Sequence, residues 1–457
     1  MNGAPDLPLR VDAPPFGRVL CDRALRVLAG RRWTLAGTLE QGGQPVVAKL
    51  FLGRGARRHF TRERRGLEAL RARGLAASEL LYAGPSAQPP GELIVTAWLP
   101  GRPASTLGEA ALPAVLKAVA QHHARGIEQR DAHLANFLVH DGVAWTLDGA
   151  GIHGHRGPLP ARRALRNLAQ WLAQFPPGID ARLAEWCALY ATQAAVDPDA
   201  LRRQIDAARR RRETEWMDKA LRSCTAFIAR RSARRFAVID RGDDGPQLRA
   251  WLEAPDAPFD ASTGHWLKRG NSASVVRVDL DGRARVVKRY NLKSLGHRLR
   301  RFWRPSRAWH SWRNAQRLCL WGVPTPRPVA LLEHRFGWLR GRAWYVCDWV
   351  PGESLAAVLP AADAARRQVL LGRLCELLKT LARLRLSHGD LKATNLLVDR
   401  DNQLILLDLD ALRRHRRPAA FERAFARDIA RLRANWAADA GLATALDRAL
   451  SDAGLVR

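Results

Sequence analysis

Two stretches of this sequence carry the same spacing of a carboxylate and an amide. Residues 129–136 read QRDAHLAN, and residues 387–395 read SHGDLKATN. In each, an Asp precedes an Asn by five positions: Asp131 with Asn136, and Asp390 with Asn395. An apolar run follows both and leads to a further Asp, Asp148 or Asp408. A carboxylate on a loop can position a hydroxyl group and accept its proton. An amide one loop-turn later and a carboxylate after a short strand can hold magnesium on nucleotide phosphates. These are the parts that phosphoryl transfer needs. The bland alternative is two ordinary turns with surface carboxylates. The repeated order of Asp, Asn, strand and Asp argues against it, more firmly for the second copy with its His-Gly-Asp.

The surrounding elements repeat as well. Residues 17–50 alternate apolar and polar in short runs, turn at Gly42-Gly43 and end in VVAKLF, as an antiparallel meander does. Lys49 lies in that last run, and Lys288 lies in the similar RVVKRY of residues 285–290. Residues 60–74 have helical periodicity, with Leu67, Leu70 and Leu75 on one side and Glu63 a turn earlier. Glu68 is a second acidic candidate on the same helix. ELIVTAWLPG at 92–101 and AWYVCDWVPG at 343–352 are both apolar strands that run into Trp and Pro-Gly. Helical segments follow at 108–126 and 360–384, before the loops, and again after the last Asp at 162–172 and 423–433. Asn167 and Asp428 fall at corresponding places there. Between the halves, 198–224 is a helical run with Arg209 to Arg212 in series, which reads as a solvated face. Residues 225–245 alternate like a hairpin that opens the second half.

The 457 residues fit two or three domains, and 47% hydrophobic residues suffice for real cores. The formal net charge of +31 implies an anionic partner: nucleic acid, an acidic membrane leaflet, or a phosphorylated or acidic-sugar substrate. No nucleic-acid recognition motif accompanies the charge, so nucleic acid is not expected. The six Cys are scattered without CxxC or CxxH spacing, as buried thiols of a reducing compartment. The start, MNGAPDLPLR, is not a signal peptide, and there is no apolar run of 18 residues. The expected location is therefore the cytoplasm, at most peripheral on the inner face of a membrane.

With these residues in place, the chain resembles a tandem member of the lipopolysaccharide kinase group, whose members phosphorylate heptose or 3-deoxy-octulosonic acid of the inner core. In the second half the resemblance rests on LKRGNSASVVRV at 267–278, the VVK ending at Lys288, GVPTPRPVALLE at 322–333, DWVPG at 348–352, SHGDLKATN and LLDLDA. In the first half it rests on VVAK, RERRGLEAL, GIEQRDAHLANFLV and the strand ending at Asp148. It implies an α+β fold of two tandem protein-kinase-like domains, 1–224 and 225–457. Each would have a small antiparallel-sheet lobe and a larger helical lobe, with ATP in the cleft and adenine against the Trp-Pro-Gly connector.

Carried over to these positions, the resemblance makes Asp131 and Asp390 catalytic bases. Asn136, Asn395, Asp148 and Asp408 would hold Mg2+. Lys49 and Lys288 would contact the phosphates, with Glu63 paired to Lys49. Gly270, Asn271 and Ser272 would form a short loop over the phosphates, and Lys392 would neutralise the transferring group. His133 stands in the place of Lys392 in the first half. Two departures are visible. Aligning Gly74 with Gly322 sets Ser311 opposite Glu63, so the second half lacks the helix Glu. The first half has no convincing glycine loop and ends its strand in Asp148-Gly149, without the second acid found at Asp410.

The expected function is ATP- and magnesium-dependent phosphorylation of a sugar hydroxyl in the lipopolysaccharide core or a related envelope glycolipid. Three alternatives stand beside it: a small-molecule kinase of the aminoglycoside or choline type, a protein kinase, and a pseudokinase scaffold in envelope assembly. The strong positive charge disfavours the first, and the absence of a clear activation segment between Asp408 and Phe421 disfavours the second. Retention of Lys, base, Asn and metal Asp in both halves disfavours the third. Residues 295–312, in which Arg298, Arg300, Arg301, Arg304 and Arg307 interleave with Phe302, Trp303, Trp309 and Trp312, have two readings: the Trp residues pack the small lobe and the Arg residues are solvated, or the segment docks on an anionic membrane leaflet or on anionic core sugars.

Overall fold

In a computed structural model the protein is described over residues 4–14, 16–190, 196–260, 265–291, 304–337 and 339–456. The chain divides into two compact units, Met1–Phe175 with Ile179–Arg210 and Pro176–Gly178 with Arg211–Arg457. The division falls within helix Pro198–Lys219. The fold is mixed helix and strand, and the strand pairings within both units' sheets are antiparallel.

The first unit opens with a six-stranded sheet in the order Leu9–Asp12, Arg18–Leu28, Arg32–Leu39, Pro45–Phe51, Gly91–Ala97, Leu80–Ser86. Side chains alternate across a strand. Val46, Ala48 and Leu50 therefore join Val19, Cys21, Leu35, Leu93 and Val95 in one apolar cluster. Phe51 lies on the opposite face, packed with Phe60 and Leu67 of helix Ala56–Arg71. Lys49 shares the parity of Phe51 and so faces that helix, which explains a cation inside an apolar strand. Helices Leu112–Ala124, Ala161–Leu172 and Leu183–Tyr190 pack around Trp171, Trp186 and Phe137 as a second core.

The second unit repeats this plan with a seven-stranded sheet. Its order is Phe227–Arg231, Arg235–Asp240, Pro328–Phe336, Leu339–Asp348, Arg283–Tyr290, Ala273–Leu280, His265–Arg269. The hairpin read in residues 225–245 supplies its first two strands. Val287 joins the outer cluster with Val276, Trp344 and Val346. Tyr290, of the same parity as Lys288, faces helix Arg307–Leu320 and packs on Trp312. Ser306 caps that helix by accepting the Trp309 N–H at 3.0 Å. Helices Leu355–Ala361, Ala364–Arg383, Pro418–Arg433 and Ala440–Asp452 complete the larger core.

One close approach recurs. A Cβ on Gly101 would lie 2.8 Å from the Val139 carbonyl oxygen, and one on Gly352 would lie 2.4 Å from that of Val398. The Pro-Gly turn thus needs glycine in both units, because a strand leaving the loop region crosses directly beneath it.

Three expectations change. Arg209 is not on a solvated face. It continues the buried stripe Leu201–Ile205 and is 4% exposed, with Nη1 2.6 Å from Asp180 Oδ2. A guanidinium on the inner face of a helix stays charged by meeting a carboxylate there. Of the six Cys, Cys21, Cys187, Cys347 and Cys375 are buried, but Cys319 is exposed and Cys224 half-buried. In the candidate membrane dock, residues 292–303 lie outside the described residues. Trp312 beyond them is fully buried, its indole N–H donating to the Ala220 carbonyl at 2.8 Å. Arg307 is 2.5 Å from Asp410. Trp312 is thus removed from the docking reading, while Arg307, its side chain still 38% exposed, makes an ion pair. No helix among the described residues is long and apolar enough to cross a membrane.

Candidate active site

In the second unit, antiparallel register sets Lys288 between Val275 and Tyr345. Its ammonium lies 2.6 Å from Asp408 Oδ1 and 5.0 Å from the centre of the Tyr290 ring. Burial alone would favour the neutral amine. Tyr290 beside it and the carboxylates of Asp408 and Asp410 outweigh it and hold Lys288 above its ordinary range. Burial likewise works against the Asp408 carboxylate, but Lys288 brings it below its ordinary value. Asp408 adopts a left-handed backbone, φ 56°, ψ 59°, a region that non-glycine residues seldom occupy and that Asp tolerates better than most. The turn after it is held from the helix: Asn314 Nδ2 donates to the Leu409 and Leu412 carbonyls at 2.8 and 2.9 Å. Where the first unit has Glu63, Ser311 is buried against the Tyr290 hydroxyl at 2.7 Å. Ser311 thus stands where the first unit has Glu63, and Asp408 pairs with the lysine instead.

The loop beneath is tied from three sides. Asn395 Nδ2 donates to the Asp390 carbonyl at 2.8 Å, and the Leu407 N–H donates to the Asn395 carbonyl at 2.9 Å. This second bond, with strand Leu396–Val398 paired to Leu404–Leu406, sets Asn395 and Asp408 at one end of a short hairpin. Buried His388 bonds the Leu407 carbonyl through Nε2 at 2.9 Å. From helix Pro418–Arg433, Asp428 accepts the N–H groups of His388 and Gly389 at 2.5 and 2.9 Å. Burial pushes the Asp428 carboxyl up. Arg431, one turn on, donates from Nη1 to the Gly389 carbonyl at 2.6 Å and to Asp390 Oδ1 at 3.2 Å. Lys392 Nζ is 3.1 Å from the same Asp390 oxygen.

Gly270, Asn271 and Ser272 form the turn between strands His265–Arg269 and Ala273–Leu280. Asn291 holds it, its Nδ2 donating to the Gly270 carbonyl at 2.9 Å and its N–H to that of Ser272 at 3.2 Å.

The first unit assembles the counterpart residues differently. Lys49 pairs with fully buried Glu63 and donates to the Leu147 carbonyl at 2.9 Å. Glu63 also accepts the N–H groups of Gly149 and Ala150 at 3.2 and 3.0 Å. Burial, opposed by Lys49 and reinforced by Asp148, pushes Glu63 up to about 7. Burial works against ionised Asp148 too, but a hydrogen bond from Glu63 and the charge of Lys49 hold its carboxyl well below the usual range. Glu68, the other acidic candidate, is half-exposed beside Arg64. Asn136 Nδ2 donates to the Asp131 carbonyl at 2.8 Å, as its counterpart does, but Asp131 is exposed. His133 turns its Nδ1 to the Ala135 N–H at 3.1 Å and caps the following turn.

Both connector tryptophans carry an arginine: Arg23 over Trp98 at 5.6 Å and Arg277 over Trp349 at 5.2 Å. The two come from different strands, Arg18–Leu28 and Ala273–Leu280. Among the described residues no three His, Cys, Asp or Glu gather as a metal cage. The donors the sequence singles out, Asn395 with Asp408 and Asn136 with Asp148, are hard oxygen groups of the kind magnesium takes when phosphates complete its coordination.

Residues 259–449 match the family model of lipopolysaccharide kinase, the Kdo/WaaP family. The match covers most of the second unit and agrees with the family the motifs resemble. A match to a kinase family over this segment supports a phosphotransferase. A search among curated proteins finds no match. The motifs alone did not point to Arg431, Asn314 or the Arg307–Asp410 pair. The spacing of Asp428 and Arg431 on one helix turn was available as a signal for the first.

Proposed function

We propose that the protein is an ATP-dependent kinase built from two tandem protein-kinase-like domains. The second transfers the phosphoryl group to a sugar hydroxyl of the lipopolysaccharide inner core or a related glycolipid. The observation that carries this reading is the Lys288–Asp408 pair at 2.6 Å, which joins two residues 120 positions apart, within the family-matched segment. A strand lysine and a post-strand aspartate gain from proximity where a nucleotide's phosphates bring charge to both.

In this reading Lys288 binds the phosphates and the Gly270–Asn271–Ser272 turn covers them. Asp390 Oδ1 faces Lys392 and Arg431. Oδ2 has only a 3.5 Å contact from Asn395 among the described residues, and so it is the oxygen that receives the acceptor hydroxyl and takes its proton. Lys392 offsets charge on the group in transit. Asn395 offers Oδ1, since its Nδ2 is engaged, and Asp408 offers Oδ2. These oxygens would hold magnesium, which when bound neutralises the phosphate oxygens. The first domain, with Lys49, Glu63, Asn136 and Asp148, keeps the nucleotide side of the site. Among the described residues Asp131 has no Lys or Arg ion pair like those that flank Asp390.

The test is transfer of labelled phosphate from ATP to purified lipopolysaccharide core by the full chain, with mass spectrometry of core phosphate in cells with and without the gene. Transfer that survives Asp390→Asn, or core phosphate unchanged by loss of the gene, would sink the reading.

A further inference from the structure

One face of helix Pro418–Arg433 and its extension grips the second unit's loop at three points. Asp428 takes the two N–H groups before Asp390, Arg431 takes the Gly389 carbonyl and Asp390 itself, and Asn435 Oδ1 accepts the Ala393 N–H at 3.3 Å. Positions 428, 431 and 435 lie on one helical stripe. The first unit has the same stripe at 167, 170 and 174. There Gln174 Oε1 accepts the Leu134 N–H at 3.2 Å, as Asn435 does for Ala393. Asn167 donates to the Gln129 carbonyl at 2.8 Å and to Gln170 at 3.0 Å. The outer grip is therefore the same in both units. The arginine is confined to the second, where the first has Gln170.

Arg431 is more than a brace. Its side chain is 44% exposed, and that of Lys392 is 50% exposed, both within 3.2 Å of Asp390. A guanidinium carries five N–H donors, and its contacts with the loop engage Nη1 alone among the described residues. The remaining fork is free to meet an anion arriving beside the hydroxyl that Asp390 receives. A planar fork suits a carboxylate or phosphate better than a neutral hydroxyl group.

We infer that Arg431 both positions Asp390 and reads an acidic group on the acceptor sugar, so that the second unit selects sugars whose reacting hydroxyl lies beside a carboxylate or phosphate. This inference rests on the kinase reading above and assigns it a specificity residue. The test uses the full chain with four synthetic glycosides: a sugar acid, its carboxamide, a sugar phosphate and its dephosphorylated form. In the parent protein kcat/KM should favour the acidic member of at least one pair, and that pair names the anion. Arg431→Gln should lower kcat/KM for that acidic acceptor about 10- to 100-fold, the range of one lost charge-assisted hydrogen bond, mainly through KM. It should lower kcat a few-fold for both members, through the looser Asp390. Arg431→Lys should restore part of the acidic preference, and it stands in if Arg431→Gln melts early. An acidic-to-neutral ratio that Arg431→Gln and Arg431→Lys leave unmoved overturns the inference while the kinase reading stands. A parent protein that transfers phosphate to none of the four, nor to purified core, overturns both.

Discussion

The two units solve one problem, holding a largely buried lysine, with different acids. In the first, a helix carboxylate, Glu63, takes Lys49 and reaches the backbone of the Asp148 turn as well. In the second, Ser311 and Tyr290 close the corresponding space, and Asp408 takes Lys288 directly. The loops differ in the opposite sense. The second unit holds its loop with a buried carboxylate and a cation, Asp428 and Arg431, while the first uses the amides of Asn167 and Gln174. The first unit thus concentrates its charge on the strand side, and the second concentrates it around the aspartate that would meet an acceptor. In the proposed reading, two such sites would divide labour rather than duplicate it.

The comparison breaks most visibly at the loop aspartates. Asp390→Asn should reduce phosphate transfer about 100-fold or more, whereas Asp131→Asn should change it little. Steady-state turnover with lipopolysaccharide core measures both, and the reverse order would exchange the roles of the units. Next in size is the buried carboxylate of the second unit. Asp428→Asn imitates the first unit, and an amide oxygen cannot replace a charged acceptor of two N–H groups. About 1.5–3 kcal/mol of stability should be lost, read as a shift of the denaturation midpoint. Asn167→Asp, which imposes the second unit's residue on the first, should not recover that amount, since Asn167 donates to the Gln129 carbonyl and a carboxylate would face it instead.

The smallest expected effect concerns pH. Glu63 rises from an ordinary value of 4.5 to about 7 in the folded chain. The folded protein therefore binds a proton that the unfolded chain releases between those values. Stability from this group is fully present below about 4.5 and falls as pH rises toward about 7. Asp148, lowered below its ordinary 3.8, acts only in more acidic solution. Thermal melts of Glu63→Gln should show a flatter profile from pH 4.5 to 7 than the parent. An identical slope would mean that Glu63 is ionised throughout, and the contrast between the units would lose one leg.

Much of this arrangement was legible before any coordinates. The runs PVVAKLF and RARVVKRY singled out both lysines, and alternation sets each on the face opposite its immediate neighbours, Ala48 and Leu50 or Val287 and Arg289. The Asp-to-Asn spacing of five defined loops whose amides fold back on the aspartate carbonyl, and both do so at 2.8 Å. The alignment through Gly74 and Gly322 found the missing acid at Ser311. What it could not find was the substitute. Asp408 is 120 residues from Lys288, and no local pattern says which of several acids will reach a buried ammonium. Arg209 was misread for a related reason: a run of arginines looks solvated until the helix face that packs inward is known.

The sequence by itself determined the order of elements, the duplicated motif and the residue types available for phosphoryl chemistry. These follow from periodicity and spacing, which are properties of neighbours along the chain. The tertiary structure alone decided the partners: Asp408 rather than a helix glutamate for Lys288, and Asp428 with Arg431 beneath Asp390. It also decided that Trp312 would serve the interior and that Arg307 would pair with Asp410. Partner choice depends on which buried charges end within a few ångströms of one another, since a charge in a low-dielectric interior is costly without a partner. That proximity is set by the packing of sheet against helix, and packing is a property of the whole unit.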